Sequence, residues 1–473
     1  MDLTQFHENV QWVSGHLWDW LVVLLIGTGL FYSVATGFVQ VRLFGRSIKT
    51  MLGGRVQGDD PHGITPFQAF VTGLASRVGV GNIAGVAIAI SVGGPGAVFW
   101  MWVTALLGMS SAFAESSLAQ LFKIRDHDNH HFRGGPAYYI SKGLKQHWLG
   151  VLFALSLILC FGFVFNAVQS NSIVAATEHA WGWNKQLVGV GLVILTAPII
   201  FGGIRRVAKF AEAIVPLMAV LYLLMALYVI ATNFAAIPAV FGLIFEKAFD
   251  FQAAAGGFFG AMISQAMMLG IKRGLFSNEA GMGSAPNAAA AADVKHPASQ
   301  GLIQMLGVFV DTMIVCSCTA FILLLSNVHV DSALTGVQLT QAAIESHVGS
   351  WGADFLAVVL FMFAFSSVIG NYAYAESNVQ FIKSNRLILA VFRMLVLCFV
   401  YFGAVREVPL VWDMADLSMG IMALINLVAI LLLSPIVFLL MKDYQTKLRL
   451  GKDPEFKLSE HPVLKRKIKS DIW

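Results

Sequence analysis

Two stretches of this sequence combine residue types that a plain apolar helix does not hold. The first, Thr72 to Ala87 (TGLASRVGVGNIAGVA), has glycine at 73, 79, 81 and 85 with Ser76, Arg77 and Asn82. The second, Gly270 to Pro286 (GIKRGLFSNEAGMGSAP), has Lys272, Arg273 and Glu279 among further glycines. Glycine lowers helix propensity and polar groups within an apolar span must be paired, so both runs predict helices that come apart. An opened helix exposes N–H groups at a positive dipole end, which suit a carboxylate, and releases carbonyls, which suit a cation or an ammonium. The chemistry expected is therefore the joint holding of a zwitterion and a small cation. Gly81 and Gly85 also fit close helix packing through G-x-x-x-G. A dinucleotide loop is rejected, because the spacing here is G-x-G-x-x-x-G and no βαβ unit surrounds it.

The elements that must position these residues are membrane helices. Of 473 residues, 57% are hydrophobic and 12% charged, against roughly 25% charged in a soluble domain, and the mean hydropathy is +0.72. Apolar runs predict an all-α integral membrane protein with about eleven spans, near 18–40, 66–92, 96–122, 148–176, 186–204, 211–232, 254–290, 298–326, 352–382, 387–404 and 410–441. No length is left for a sizeable soluble domain. After the first helix, the interrupted spans open two sets of five. Five is odd, so the sets run in opposite senses, which is the inverted-repeat plan of secondary transporters with a site at the midplane. The expected divisions are 1–62 (an extra helix and linker), 63–235 and 236–441 (the two repeats) and 442–473 (a basic tail). Irregular backbone at membrane depth must be buried in protein or line a wet cavity, so neither broken segment is expected to face lipid.

Charge placement sets the orientation. Most Lys and Arg residues fall in alternate connections and in the tail, leaving Lys185, Lys247 and Arg406 on the opposite side. By the positive-inside rule the protein sits in the cell (inner) membrane with the N-terminus outside and the C-terminus cytoplasmic. The first seventeen residues lack Lys and Arg, so they do not form the basic start of a cleaved signal, and the first helix is expected to be retained. Lys465, Arg466, Lys467 and Lys469 read as topology determinants, or else as a lipid-binding patch. Cys160, Cys316, Cys318 and Cys398 read as small core residues, not a disulfide framework. The loop Asp126–Arg133 (DHDNHHFR) lacks the fixed spacing of a tetrahedral metal site and reads as a polar loop. No H-E-x-x-H, G-x-S-x-G or G-x-x-x-x-G-K-[ST] occurs, which argues against an intramembrane enzyme and a nucleotide-driven pump. Two inverted broken helices argue against a passive channel. No nucleic-acid partner and no obligatory protein partner are expected.

Gly93–Gly108 (GGPGAVFWMWVTALLG), Gly79–Ala87 (GVGNIAGVA), Lys272–Pro286 (KRGLFSNEAGMGSAP) and Gly134–Tyr139 (GGPAYY) are similar to blocks of the alanine or glycine:cation symporter family. The chain resembles that family along nearly its whole length. The resemblance implies a LeuT-type 5+5 inverted repeat with one extra N-terminal helix. It also implies uptake of alanine, glycine or a related small neutral amino acid driven by Na⁺, or by protons in some members. A LeuT-type symporter for another solute, such as glutamine, is the alternative.

Carried over by position, the resemblance implies substrate contacts from Thr72, Gly73 and Ser76, the amides around Gly79 and Gly81, and nearby Asn82. Gln169 is expected to reach the substrate, with Asn166 and Asn171 as neighbours; a helix–helix hydrogen bond is the other reading for each. Met268, Leu269 and Gly270, with Ile271, are expected to unwind beside the substrate. The Na⁺ position implied uses carbonyls of Ala75 and Val78 with the hydroxyls of Ser366 and Ser367, mostly neutral hard oxygens that bind an ion reversibly. Serines inside membrane helices also simply bond to the preceding turn. Arg77 departs from the small residue often found there in LeuT-type transporters, so a single cation site is expected. Its partner is left open among an acidic substrate group, Glu115, Asp311 and Glu376. A gate pair of Arg273 with Glu279 requires the helix break between them.

Overall fold

A computed structural model describes residues 3–54, 63–126, 131–249, 264–326, 328, 334–468, 470 and 472–473. In chain order the main helices are α1 (Leu3–Ala35), α2 (Phe44–Gly53), α3 (Pro66–Arg77), α4 (Val86–Gly93), α5 (Ala97–Leu121), α6 (His147–Trp181), α7 (Lys185–Ile200), α8 (Gly203–Thr232), α9 (Ile237–Ala248), α10 (Gln265–Asn278), α11 (Pro286–Ala290), α12 (Pro297–Ser326), α13 (Gly336–Val348), α14 (Trp351–Ile382), α15 (Arg386–Val405), α16 (Val408–Leu432) and α17 (Ser434–Arg449). Among the described residues eight helices are long and apolar enough to cross a membrane, and nine when the bent pair α3 and α4 is one span. The shorter apolar α7 and the interrupted α10–α11 segment account for the other two of the eleven expected spans. Part of the expected span 254–290 lies outside the described residues.

Local sequence explains where these helices start. Thr65 and Gln68 form a capping box around Pro66, whose missing N–H costs nothing at the first position of α3. Ser264 accepts from the Met267 N–H to start α10, and Asn184 and Asn385 do the same for α7 and α15. Three π-helical turns interrupt the regular spacing: Gly81–Gly85 after the first break, Ile158–Val164 within α6 just before Asn166, and Phe309–Cys316 within α12 around Asp311. All three lie beside the polar centre of the molecule, in keeping with the association of such turns with function.

Packing divides the helices into neighbourhoods. The helix α5 lies along α10 and α12, while α6 lies along α14 and α15. Small residues permit the close approaches: a Cβ at Gly301 would meet the Ser117 hydroxyl at 2.2 Å, and one at Gly403 would meet the Ala167 carbonyl at 2.2 Å. The extra helix α1 is held against α16, where Trp18 Nε1 donates to the Asp416 carbonyl at 3.0 Å and the Tyr32 hydroxyl to that of Ile430 at 2.5 Å.

The end of the bundle that carries the C-terminal tail is cross-linked by irregular backbone. Ile64 pairs with the segment after α11, taking the Ala291 carbonyl and accepting from the Asp293 N–H, each at 3.0 Å. The tail crosses this end, with the Phe456 N–H on the Lys295 carbonyl at 2.8 Å and Trp473 Nε1 on that of Gln120 at 3.2 Å. The expected polar loop at 126–133 is part of a hairpin, β1 (Ile124–Asp126) with β2 (His131–Arg133), whose residues 127–130 are outside the described set. Of the cysteines, none is in a disulfide; 160, 316 and 318 are buried, whereas Cys398 is exposed on the flank of α15 and is not a core residue.

Candidate functional site

The first broken span opens where its glycines predict. The helix α3 ends at Arg77, Val78 turns out of the helical region with ψ 91°, and the two halves meet at a 51° bend. The Gly79 N–H, which in an unbroken helix would bond the Ala75 carbonyl, is taken instead by Asn82 Oδ1 at 2.8 Å. The freed Ala75 carbonyl accepts from Ser367 Oγ at 3.0 Å and Ser366 Oγ at 3.4 Å, although both hydroxyls also lie within bonding distance of the Phe363 carbonyl on their own helix. Val78, with 1% exposure, closes the same corner. The next amide, Val80 N–H, donates to Gln169 Oε1 at 3.1 Å. Ala75, Gly79, Gln169, Ser366 and Ser367 are thus one group, and a Cβ at Gly79 would lie 2.3 Å from Ser367 Oγ and 3.1 Å from Gln169 Oε1.

The second break is real but lies further along the chain than expected. Residues Met268 to Ile271 are regular helix, and α10 runs unbroken to Asn278. The chain unwinds over 279–285, where Glu279, Gly281 and Gly283 adopt φ of 59°, 87° and 85°. Glycine makes two of these three left-handed positions easy; the sharp turn needs them before Pro286 can restart the helix. Met268, Leu269 and Gly270 sit about 15 Å up the helix axis from the break, Leu269 beside Gly93 and Gly270 against Ala97 and Trp100. The residues that face the first break are Phe276 and Ser277, which Gly81 approaches closely enough that a Cβ would stand 2.9 Å and 3.0 Å from them. Thr72 and Gly73 are also set apart: the Thr72 hydroxyl bonds back to the Gln68 carbonyl, and Gly73 faces Gln304.

Polar side chains knit the two breaks together. Asn82 Nδ2 donates to Asp311 Oδ1 at 2.7 Å, and Asp311 Oδ2 receives the hydroxyls of Ser277 and Thr312 at 2.8 and 2.9 Å. Ser76 Oγ stands 2.7 Å from both Glu279 Oε1 and Asn371 Oδ1, and Asn371 continues to Asn166 at 3.2 Å. Asn171 instead bonds the carbonyls of Gly403 and Arg406, a helix-end role. The carboxyls of Asp311 and Glu279 carry a signal visible in the sequence, since an acid inside an apolar span is rarely idle. Phe165, Phe276 and Asn371 carry none, because apolar or amide side chains at such positions look like ordinary core.

None of the three carboxylates offered as partners for Arg77 makes a close ion pair with it among the described residues, although Glu115 and Asp311 lie within reach of its charge. Glu376 pairs with Arg393 at 2.9 Å, Glu115 receives the Gly281 N–H and Asn426, and Asp311 has the donors just described. Arg77, 2% exposed, donates Nη1 to the Gln304 carbonyl at 3.3 Å, and its Nε and Nη2 have no hydrogen-bond partner among the described residues. Arg273 does not pair with Glu279. Its Nη2 meets Asp416 at 2.7 Å, its guanidinium lies 4.7 Å from the Trp412 ring centre, and Trp412, Phe276 and Phe165 follow as contacting rings at 4.8 and 4.5 Å. This stack joins α10 and α6 to the first turns of α16. On the tail side a cavity of about 260 Å³ reaches Tyr374, with Arg133, Asn287, Glu376 and Arg393 in its wall.

A family model described as the sodium:alanine symporter family matches residues 3–458. The chain belongs to that family. The amino-acid carrier protein AlsT of Bacillus subtilis (strain 168) is 50% identical over 468 residues, covering 99% of this chain and 98% of the relative. The probable sodium/glutamine symporter GlnT of the same organism is 49% identical, covering 96% and 94%. The structure of a Na⁺-coupled sialic acid symporter aligns with a TM-score of 0.51 at 13% identity, over 83% of this chain and 82% of that one, a likeness of fold. The family member described here is therefore a multi-pass membrane transporter of LeuT-type fold, a symporter and not an enzyme.

Proposed function

We propose that this transporter imports a small neutral amino acid, alanine or glycine, in symport with one Na⁺ by alternating access, with its N-terminus outside and its tail in the cytoplasm. The carrying observation is the convergence of the Ala75 carbonyl with the hydroxyls of Ser366 and Ser367, one turn before the two amides of the break. Those oxygens would hold the Na⁺ ion, with the Val78 carbonyl as a further ligand. Both amides that suit a carboxylate are covered by side chains, Gly79 by Asn82 and Val80 by Gln169. Substrate entry then means displacement of the Gln169 amide, which becomes free to hold the ligand. The rings of Phe165 and Phe276, in contact at 4.5 Å, are the side chains that would limit the substrate to a short side chain. The fixed charge of Arg77 supports a single cation position. The description of a relative as a probable sodium/glutamine symporter supports glutamine as the second reading.

Equilibrium binding of labelled alanine to the purified protein separates these readings. Binding should require Na⁺ in place of K⁺, and glycine should displace the label far better than glutamine. Displacement by glutamine but not by glycine would overturn the small-substrate reading.

A further inference from the structure

Each hydrogen bond of the polar chain between the two breaks needs one donor, and its donors and acceptors constrain one another. Asn166 Nδ2 is turned to the Gly162 carbonyl at 3.0 Å, a group that can only accept, so the Asn166 carbonyl oxygen faces Asn371. Asn371 must then present its NH₂ to Asn166 and its oxygen to Ser76, 2.7 Å away. The single proton of the Ser76 hydroxyl is committed to that oxygen. Yet the same hydroxyl oxygen lies 2.7 Å from Glu279 Oε1, a distance at which one of the two must donate. Only the carboxyl can. Its other oxygen receives the Ser284 hydroxyl at 2.6 Å and is satisfied as the carbonyl of an acid. Asp311 makes the contrast, since three donors converge on it and its pattern is that of an ionised carboxylate.

We propose that Glu279 is a proton-binding site, occupied in this conformation, whose proton closes the link from the second broken helix through Ser76 and Asn371 to α14 and α6. Glu279 holds a left-handed backbone position at φ 59° that disfavours a residue with a side chain, and it is 1% exposed. Arg77 on α3, Asp311 on α12, Tyr374 on α14, Cys160 on α6 and, past Arg77 and Tyr374, Glu115 on α5 are the charged or titratable groups around it. The Tyr374 hydroxyl lies beside Ser76 and Glu279 and belongs to a side chain that lines the tail-side cavity. That is the exit. On ionisation the O–H bond of Glu279 breaks and the proton passes to water in the cavity. Ser76 turns its hydroxyl proton to the carboxylate, and the Asn371 oxygen loses its donor. The link between the broken helices and α14 then opens. Coupling of this proton to movement rests on the transport reading above; its presence on Glu279 does not.

Infrared difference spectra of the purified wild type against Glu279→Gln at neutral pH test the site directly. The carbonyl stretch of a protonated carboxyl should be present in the wild type and lost in the variant; spectra identical in that band would overturn the proposal. Should Glu279→Gln fail to fold, Ser76→Ala should shift the band by removing its hydrogen-bond partner, and an unmoved band has the same negative force. In proteoliposomes the wild-type rate of Na⁺-driven uptake should differ between mildly acidic and mildly alkaline lumen, while the Glu279→Gln rate should be equal at both. A variant that keeps the wild-type pH dependence overturns the coupling. A wild type that shows the band but transports nothing keeps the proton site and removes the transport reading.

Discussion

At the scale of single residues, the break in the first core span frees a backbone carbonyl from its helical bond. Ala75 loses its helical partner because Asn82 captures the Gly79 amide, and two serine hydroxyls converge on the freed oxygen. Each hydroxyl also has the Phe363 carbonyl of its own helix within reach, so either can rotate its proton away and offer a lone pair to an ion at little cost. Replacing Ser366 and Ser367 with alanine should therefore raise the Na⁺ concentration for half-maximal alanine binding by tenfold or more, about 1.4 kcal/mol, with little loss of thermal stability. An unchanged Na⁺ dependence in the folded double variant counts against these oxygens. Gly79→Ala goes further, since its methyl would stand 2.3 Å from Ser367 Oγ. It should abolish Na⁺-dependent alanine binding, whereas retained binding would mean that the corner between α3 and α14 is not the site.

At the scale of elements, two interrupted helices meet because glycine and polar residues recur at matching depth. The sequence read alone places the first opening correctly, since Gly79 lies in the break and Gly81 and Asn82 in the π turn directly after it. It places the second too early. Lys272 and Arg273 look like the polar heart of an apolar run, yet they belong to an intact helix whose charge is met by Asp416, a residue 143 positions away. That pairing has no local signature. The glycines at 281 and 283, spaced around Met282 just before Pro286, were the better mark of a turn. Arg77 shows the same limit: the carbonyl of Gln304 that it meets is invisible to charge matching. The corrected break carries its own test. Gly283 has φ 85°, and a Cβ there would press on Asn426, Pro136 and Phe153 at 2.8–2.9 Å. Gly283→Ala should lower stability by at least the ~1–2 kcal/mol of left-handed strain, read as a fall in Tm. Gly270→Ala tests packing against α5 instead, and an unchanged Tm for Gly283→Ala would contradict the turn.

At the scale of the whole molecule, the tail is a structural part of one end of the bundle. Asp443 on α17 receives His296 at 3.1 Å and Lys447 at 2.9 Å, and Lys447 also reaches Glu460 at 2.9 Å. Burial pushes the Asp443 carboxyl up, but the hydrogen bonds from His296 and Lys447 outweigh it and hold the group at about 2. Burial is also the main influence on His296, pushing it below the ordinary histidine value in spite of Asp443. Both folded values lie below the unfolded ones, so the unfolded chain takes up protons first on acidification and stability is lost as the pH is lowered. The His296 contribution should begin to fade below its unfolded value of roughly 6.5, and that of Asp443 below roughly 3.9 and on through about 2. Asp443→Asn should accordingly lower Tm at neutral pH, with the gap to wild type narrowing on acidification across that lower window. A gap that is constant with pH would exclude the linkage.

Symport by this protein requires that the paired breaks hold an ion and an amino acid that move together. Uptake of labelled alanine into proteoliposomes, with Na⁺ outside and K⁺ within, measures this most directly. Accumulation above the external concentration, abolished when Na⁺ is equal on both sides, is the predicted result. Uptake that only equilibrates, at the same rate with or without a Na⁺ gradient, would contradict it.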